Sequence, residues 1–339
     1  MNNFTSDEIY QSGKESEKSS NLPILVAEDI IKIYRTGKIE TQALRGVSFT
    51  IHEREKLFLI GPSGSGKTTL VNIVAGNVKP TSGKVFWKDL LKDITRSSFE
   101  EIIKARRSFA GLISQDTRLI SHLTVKENVE LVGYYANLPS SVIKQRSEFL
   151  LKFLGIWEKR NKKEDTLSGG EKKRADIAAT LVTNPKVIIA DEPTGDLDVI
   201  TANSILDLFD KINKELHIAM LLCTHSQYVT TRADRVLEIQ DGIIIGQHES
   251  NLHLRKLEQS RLLEIDRQKR IKIPASILDK LDNPKHFEIQ IMDGKIELNP
   301  IYKSKNFENK IKKVITCAIC GKLAKDNSDF CKYCGATIS

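Results

Sequence analysis

Short apolar runs recur along the chain from about Leu25 to Gly246, and stretches with helical spacing separate them. Lys56–Ile60 reads KLFLI, Lys186–Asp191 reads KVIIAD and Ala219–His225 reads AMLLCTH. Each is almost continuously apolar and of strand length. Strands of that kind are buried on both faces, and helices between them make the sheet parallel. The region closes with RVLEIQDGIIIG, where Asp241-Gly242 between two apolar runs predicts a hairpin. The pattern predicts an α/β domain over 23–250.

The character changes after His248. Residues 251–267 are charged with helical spacing and read as a linker. Over 268–302, Phe287, Ile289 and Ile291 alternate with polar residues, as do Ile296 and Leu298. Asp293-Gly294 sits between these runs and is a strong hairpin signal, so a small β-rich module is expected. A basic connector over 303–315 leads into a cysteine-containing segment at 316–339. Residues 1–22 are rich in Ser, Glu, Lys and Asn and read as a disordered tail.

The length of 339 residues allows two domains, or one large domain with appendages. No run approaches the roughly 18–20 apolar residues of a membrane-spanning helix. The N-terminal stretch lacks the apolar core of a secretory signal. The net charge of +8 is unevenly placed: residues 1–250 carry 34 basic and 33 acidic side chains, and 251–339 carry 18 and 11. Such asymmetry suggests a tail with an anionic partner, either nucleic acid or acidic lipid. A solvated Lys-rich face is the other reading.

Candidate chemistry begins at GPSGSGKTT, residues 61–69. Gly61, Gly66, Lys67 and Thr68 match the spacing G-x-x-x-x-G-K-[ST], and the segment follows a strand and opens a helix. Backbone N–H groups of Ser63, Gly64, Ser65, Gly66 and Thr69 can turn toward phosphates there, helped by the helix N-terminus. Lys67 supplies a cation for the β- and γ-phosphates, and the Thr68 hydroxyl can ligate Mg²⁺. VIIADEP ends a second strand in Asp191 and Glu192. Asp191 would hold the Mg²⁺ shell, and Glu192 could accept a proton from an attacking water. Alone, the pair could equally be charges at a helix N-terminus.

Together these residues resemble the ATP-binding cassette ATPases. LSGGE at Leu167–Glu171 is similar to that family's signature motif and precedes a helix, so Ser168, Gly169 and Gly170 form a second anion site. In the family this site meets the γ-phosphate held by the other subunit, so a head-to-tail homodimer with two sandwiched ATP molecules is implied. The resemblance also implies a mainly parallel sheet core, a helical subdomain and an N-terminal antiparallel sheet. It assigns Tyr34 to adenine stacking, Gln115 to the nucleotide and its Mg²⁺, Asp196 and Asp198 to the dimer interface, and His225 to the γ-phosphate. Lone Cys223 reads as a buried small apolar residue. YRTGKIETQALRGVSF, LTVKENVEL and DEPTGDLD resemble the group containing lipoprotein-release, macrolide-export and cell-division ATPases. The chain departs from that pattern at Glu171, at RADIAATLVTNP and at Asp196.

Cys317, Cys320, Cys331 and Cys334 form two C-x2-C pairs separated by ten residues. Four thiolates at this spacing can close a tetrahedral structural Zn²⁺ site, and the segment resembles small zinc ribbons. A redox dithiol pair and an iron site are the rivals. Two functions are compatible with the whole. One is the ATP-hydrolysing subunit of a transporter or mechanotransmission complex, peripheral at the inner face of the membrane. It would work with a separate permease contacted through roughly 116–166. The other is a soluble ATPase switch acting on nucleic acid or the ribosome through its basic tail.

Overall fold

The computed structural model describes residues 23–249, apart from 38, 89–92 and 226. Beyond these it describes 271, 273, 275–282, 284, 286–292, 295–301, 315–316 and 323–324. The chain divides into two compact units at 272/273.

The first unit is built on a six-stranded sheet. Its strands are β3 (Lys56–Ile60), β5 (Ala110–Ile113), β6 (Val187–Asp191), β7 (Ala219–Thr224), β8 (Arg235–Gln240) and β9 (Ile243–Glu249). Their order is β5-β6-β7-β3-β8-β9. The first five run parallel, and β9 returns antiparallel to β8 across the Asp241-Gly242 turn. The three apolar runs are therefore neighbours at the centre of the sheet. Side chains alternate across it, so each central strand serves two cores. Phe58, Ile188 and Met220 point to one face, and Leu57, Ile189 and Leu221 to the other.

The first face is covered by helices α3 (Val125–Tyr135), α4 (Ser140–Phe153), α5 (Gly169–Leu181) and α6 (Val199–Leu216). The second is covered by α1 (Lys67–Val74) and by an antiparallel sheet of order β2-β1-β4. That sheet consists of β1 (Pro23–Thr36), β2 (Ile39–His52) and β4 (Ser82–Trp87). The fully buried Trp87 ties this layer together: its indole N–H donates to Val74 O at 3.0 Å, and its ring stacks on Phe109 at 4.7 Å. Phe109 ends helix α2 (Phe99–Phe109).

Helices α3, α4 and α5 form the helical subdomain. Local sequence sets where two of them start. Thr124 and Ser168 each accept a bond from the N–H three residues on, and Glu127 and Glu171 each return one to the cap residue's own N–H. These reciprocal pairs satisfy donors that a helix N-terminus leaves open. The backbone bond drawn from the cap residue holds each glutamate below the usual carboxylate range. Gly133 lets α3 and α4 touch, because a Cβ there would stand 2.8 Å from Ile143.

In the second unit, helix α7 (Ala275–Lys280) precedes the antiparallel hairpin of β10 (His286–Met292) and β11 (Lys295–Ile301). The last pair is Met292 with Lys295, so the connection is the two-residue Asp293-Gly294, itself outside the described residues. A short ladder joins β12 (Ile315–Thr316) to β13 (Leu323–Ala324). The four cysteines of the tail lie outside the described residues.

Thr124 both accepts from Glu127 N and donates its hydroxyl to Glu127 Oε2. Thr124→Ala removes the cap, at about 1 kcal/mol. In a domain of this size we expect the melting midpoint to fall by about 2–4 °C, read by circular dichroism. An unchanged midpoint would show that α3 is set by packing alone.

Candidate functional site

Strand β3 ends at Ile60 and the chain loops through 61–66 into α1. Two glycines are required by the space available. A Cβ on Gly61 would stand 2.2 Å from Ile239 O, and one on Gly66 would stand 2.6 Å from Ala43 O. Gly66 also has φ of 105°, a left-handed value that side chains disfavour. It caps α1 with no side-chain bond, so the first N–H groups of the helix are left for a ligand.

Lys67 is 7% exposed, and its ammonium folds back over the loop. It donates to Gly61 O at 2.8 Å and Pro62 O at 3.0 Å, and lies 3.9 Å from Glu192 Oε1. The other oxygen of Glu192 lies 3.0 Å from His225 Nδ1. Glu192 follows β6 with φ of 47°, held there by its N–H bond to Cys223 O at 2.9 Å. Ammonium, carboxylate and imidazole thus form one chain of contacts at the ends of β3, β6 and β7.

Asp191 sits one residue earlier. The Thr68 hydroxyl bonds to its carboxylate, while Asp191 Oδ1 is buried and has no hydrogen-bond partner. Burial pushes its carboxyl above the usual range. The Thr68 bond opposes this, the Glu192 charge adds to it, and Lys67 opposes it. A buried carboxylate oxygen without a donor is costly, and a hard cation removes the cost. The hydroxyl of Thr68 and the carboxylate of Asp191 are oxygen donors of the kind Mg²⁺ prefers, so these residues fit that ion.

A cavity of about 610 Å³ opens over the loop. Ser63, Gly64, Gly66, Lys67, Thr68, Thr69, Gln115, Glu192 and His225, all candidates from the sequence, are brought together in its lining. Gln115 donates through Nε2 to Asp196 Oδ1 at 2.8 Å. Gly61, Ser65 and Asp191 are not part of its lining. Ser65 is buried, and its hydroxyl has no partner. Tyr34 does not line the cavity. It is 42% exposed and lies opposite Thr41, which does line it.

Ser168, Gly169 and Gly170 open α5 away from the cavity. A Cβ on Gly170 would meet Thr201 at 2.7 Å, so this helix start packs against the start of α6. There Asp198 accepts from Ile200 N and Thr201 N, each at 3.0 Å, and these bonds with the Thr201 hydroxyl hold its carboxyl below the usual range. Cys223 is fully buried, and burial raises its thiol well above the usual range, which makes it inert packing. Thr41, Gln42, Ala43, Arg45, Gly195 and Asp241 also line the cavity. Sequence reading gave none of them a binding role. Asp241 stands in the sequence as a turn residue, and the β2 residues stand within YRTGKIETQALRGVSF, a segment that marks the family group without assigning a binding role to any of them.

The ABC transporter family model matches residues 44–195. An uncharacterized ABC transporter ATP-binding protein of Thermotoga maritima is 38% identical over 64% of this chain and 92% of its own length. The chain belongs to the ABC transporter ATP-binding protein family. It is also 33% identical to the macrolide export ATP-binding/permease protein MacB of Azoarcus sp., over 69% of this chain and 35% of that protein. The chain spans about a third of the length of such MacB relatives. A dimeric structure of the ATP-binding cassette MJ0796 in a post-hydrolysis state, bound to ADP and Pi, aligns with a TM-score of 0.62 at 31% identity. That match covers 68% of this chain and all of that one. Another, cbiO1 from Clostridium perfringens, described as part of the ABC transporter complex cbiONQ, aligns at 0.60 and 33% identity over 67% of this chain and 88% of that one. The chain is an ABC-type ATPase, and its mixed sheet with an attached helical subdomain is the P-loop ABC fold expected from the sequence.

Proposed function

We propose that this ABC ATPase binds ATP in the cavity over residues 61–69 and drives a separate membrane permease as a head-to-tail homodimer. The observation that carries the catalytic part is the Lys67–Glu192–His225 contact chain beside the partnerless Oδ1 of Asp191. Backbone N–H groups of the loop and the Lys67 ammonium hold the β- and γ-phosphates. Thr68, Asp191 and Gln115 hold Mg²⁺, which when bound offsets phosphate charge. Tyr34 stacks on the adenine from the rim.

Glu192 accepts a proton from a water as the water oxygen bonds to the γ-phosphorus. The bond to the β-phosphate oxygen breaks, and ADP and phosphate leave. His225, in contact with Glu192 Oε2, orients that carboxylate and donates to the γ-phosphate. Ser168, Gly169 and Gly170 of one subunit cover the γ-phosphate in the other, with Asp196 and Asp198 at the join. Support for this pairing comes from the dimeric relative and from where α5 opens, outside the chain's own cavity.

Glu192→Gln removes the base and keeps the shape. We expect kcat for phosphate release to fall by at least about 100-fold, with an ATP-bound dimer accumulating on size exclusion. Hydrolysis at the normal rate would remove Glu192 from the role of base.

Among the described residues no helix is long and apolar enough to cross a membrane. The MacB relatives are named as ATP-binding/permease proteins, and cbiO1 as part of a transporter complex. These support a permease partner and a peripheral position at the inner face of the membrane. On co-expression with a cognate permease, the ATPase should co-purify with solubilised membranes. Its recovery from the soluble fraction alone would count against the partnership.

The 316–339 segment is read as a zinc ribbon on cysteine spacing. Cys317→Ser should lower bound zinc, measured by mass spectrometry, while leaving ATP affinity unchanged. Full zinc content in this variant would exclude the site.

A further inference from the structure

The loop between β5 and α3 begins with Ser114 and Gln115, and its backbone is held by side chains from the helical subdomain. Lys173 on α5 is 3% exposed. Its ammonium donates to Ser114 O at 2.8 Å and Gln115 O at 2.6 Å. One turn further along α5, Asp176 is 4% exposed; its Oδ1 accepts from Arg118 N at 3.4 Å, and its Oδ2 has no hydrogen-bond partner. On α3, Asn128 accepts from Ile120 N at 2.7 Å and donates to Thr124 O at 3.0 Å. The loop is therefore tied by hydrogen bonds to both helices.

The position of Lys173 is specific. The carbonyls of 114 and 115 belong to the two peptide planes that meet at the Gln115 Cα. Holding both fixes the direction in which the Gln115 side chain leaves the backbone. That side chain lines the nucleotide cavity and reaches Asp196 at the start of the segment leading to α6. Lys173 itself does not line the cavity. Burying an ammonium is costly unless its donors are satisfied and counter-charge is near, and two carbonyls with the charges of Asp176, Asp196 and Asp116 meet that need. Burial lowers Lys173 below the usual lysine range and raises Asp176 above the usual carboxylate range, while their mutual attraction opposes both shifts.

We propose that Lys173 is a positioning residue for ATP hydrolysis. It holds the two carbonyls around Gln115, so the glutamine is aimed at the nucleotide and travels with helix α5, whose first residues form the second anion site. The proposal rests on the reading of Gln115 as a nucleotide-contacting side chain. It gives the helical subdomain a direct mechanical hold on a residue of the ATP cavity.

The test is a double-mutant cycle on the full chain: wild type, Lys173→Met, Gln115→Ala and the pair, with kcat and KM for MgATP read by phosphate release. Lys173→Met is expected to lower kcat at least tenfold while KM changes less than threefold. In the Gln115→Ala background the same change should lower kcat less than twofold. Equal losses in the two backgrounds would overturn the proposal, as would a wild-type kcat in Lys173→Met. Gln115→Ala with a wild-type kcat would sink the reading of Gln115 itself, and with it the proposal. A defective Gln115→Ala with equal losses sinks the proposal alone. Removing one partner of a buried pair can unfold a protein, whereas replacing both often does not. Lys173→Met with Asp176→Leu is therefore run through the same cycle under the same criteria.

Discussion

The site depends on the register of three parallel strands. Leu59 lies level with Cys223, and Cys223 lies level with Asp191. The strands β3, β7 and β6 therefore end together, and the residues that follow each of them arrive at one place. From β3 come the loop and Lys67, from β6 Asp191 and Glu192, and from β7 His225. A slip of one residue would turn each buried side chain to the wrong face of the sheet. Because both faces are packed, that slip is strongly opposed. The packing that holds the sheet thus also sets distances of 3.0 and 3.9 Å among groups that meet only in space.

What could be read from sequence follows the range of the forces involved. The central strands announce themselves by apolar runs, and the loop by glycines whose need is local. Asp191 and Glu192 are legible because they directly follow such a run. Thr41, Gln42, Ala43 and Arg45 carry no such mark. They reach the cavity because β2 lies against the loop, where Ala43 O closes over Gly66. That contact spans more than twenty residues and has no local signature. Lys173 is harder still. In EKKRADIAATL it looks like one more charge on a solvated helix, and only the packed structure reveals it as buried.

The charge split has a structural counterpart. The nearly neutral part of the chain holds the sheet, both cores and the whole nucleotide cavity. The basic excess divides between 251–272, with 7 basic and 3 acidic side chains, and the second unit from Ile273, with 11 and 8. In the proposed chemistry the charges that act are a few placed ones, such as Lys67 and Asp191.

The backbone of Glu192 has a consequence for variation. At φ of 47° it occupies a conformation that costs an ordinary residue on the order of 1 kcal/mol, and that glycine adopts freely. Selection of this protein for thermal resistance alone would therefore reward glycine at 192, the very change that deletes the carboxylate facing Lys67 and His225. With Glu192 as the proposed base, stability and turnover pull in opposite directions at this one residue.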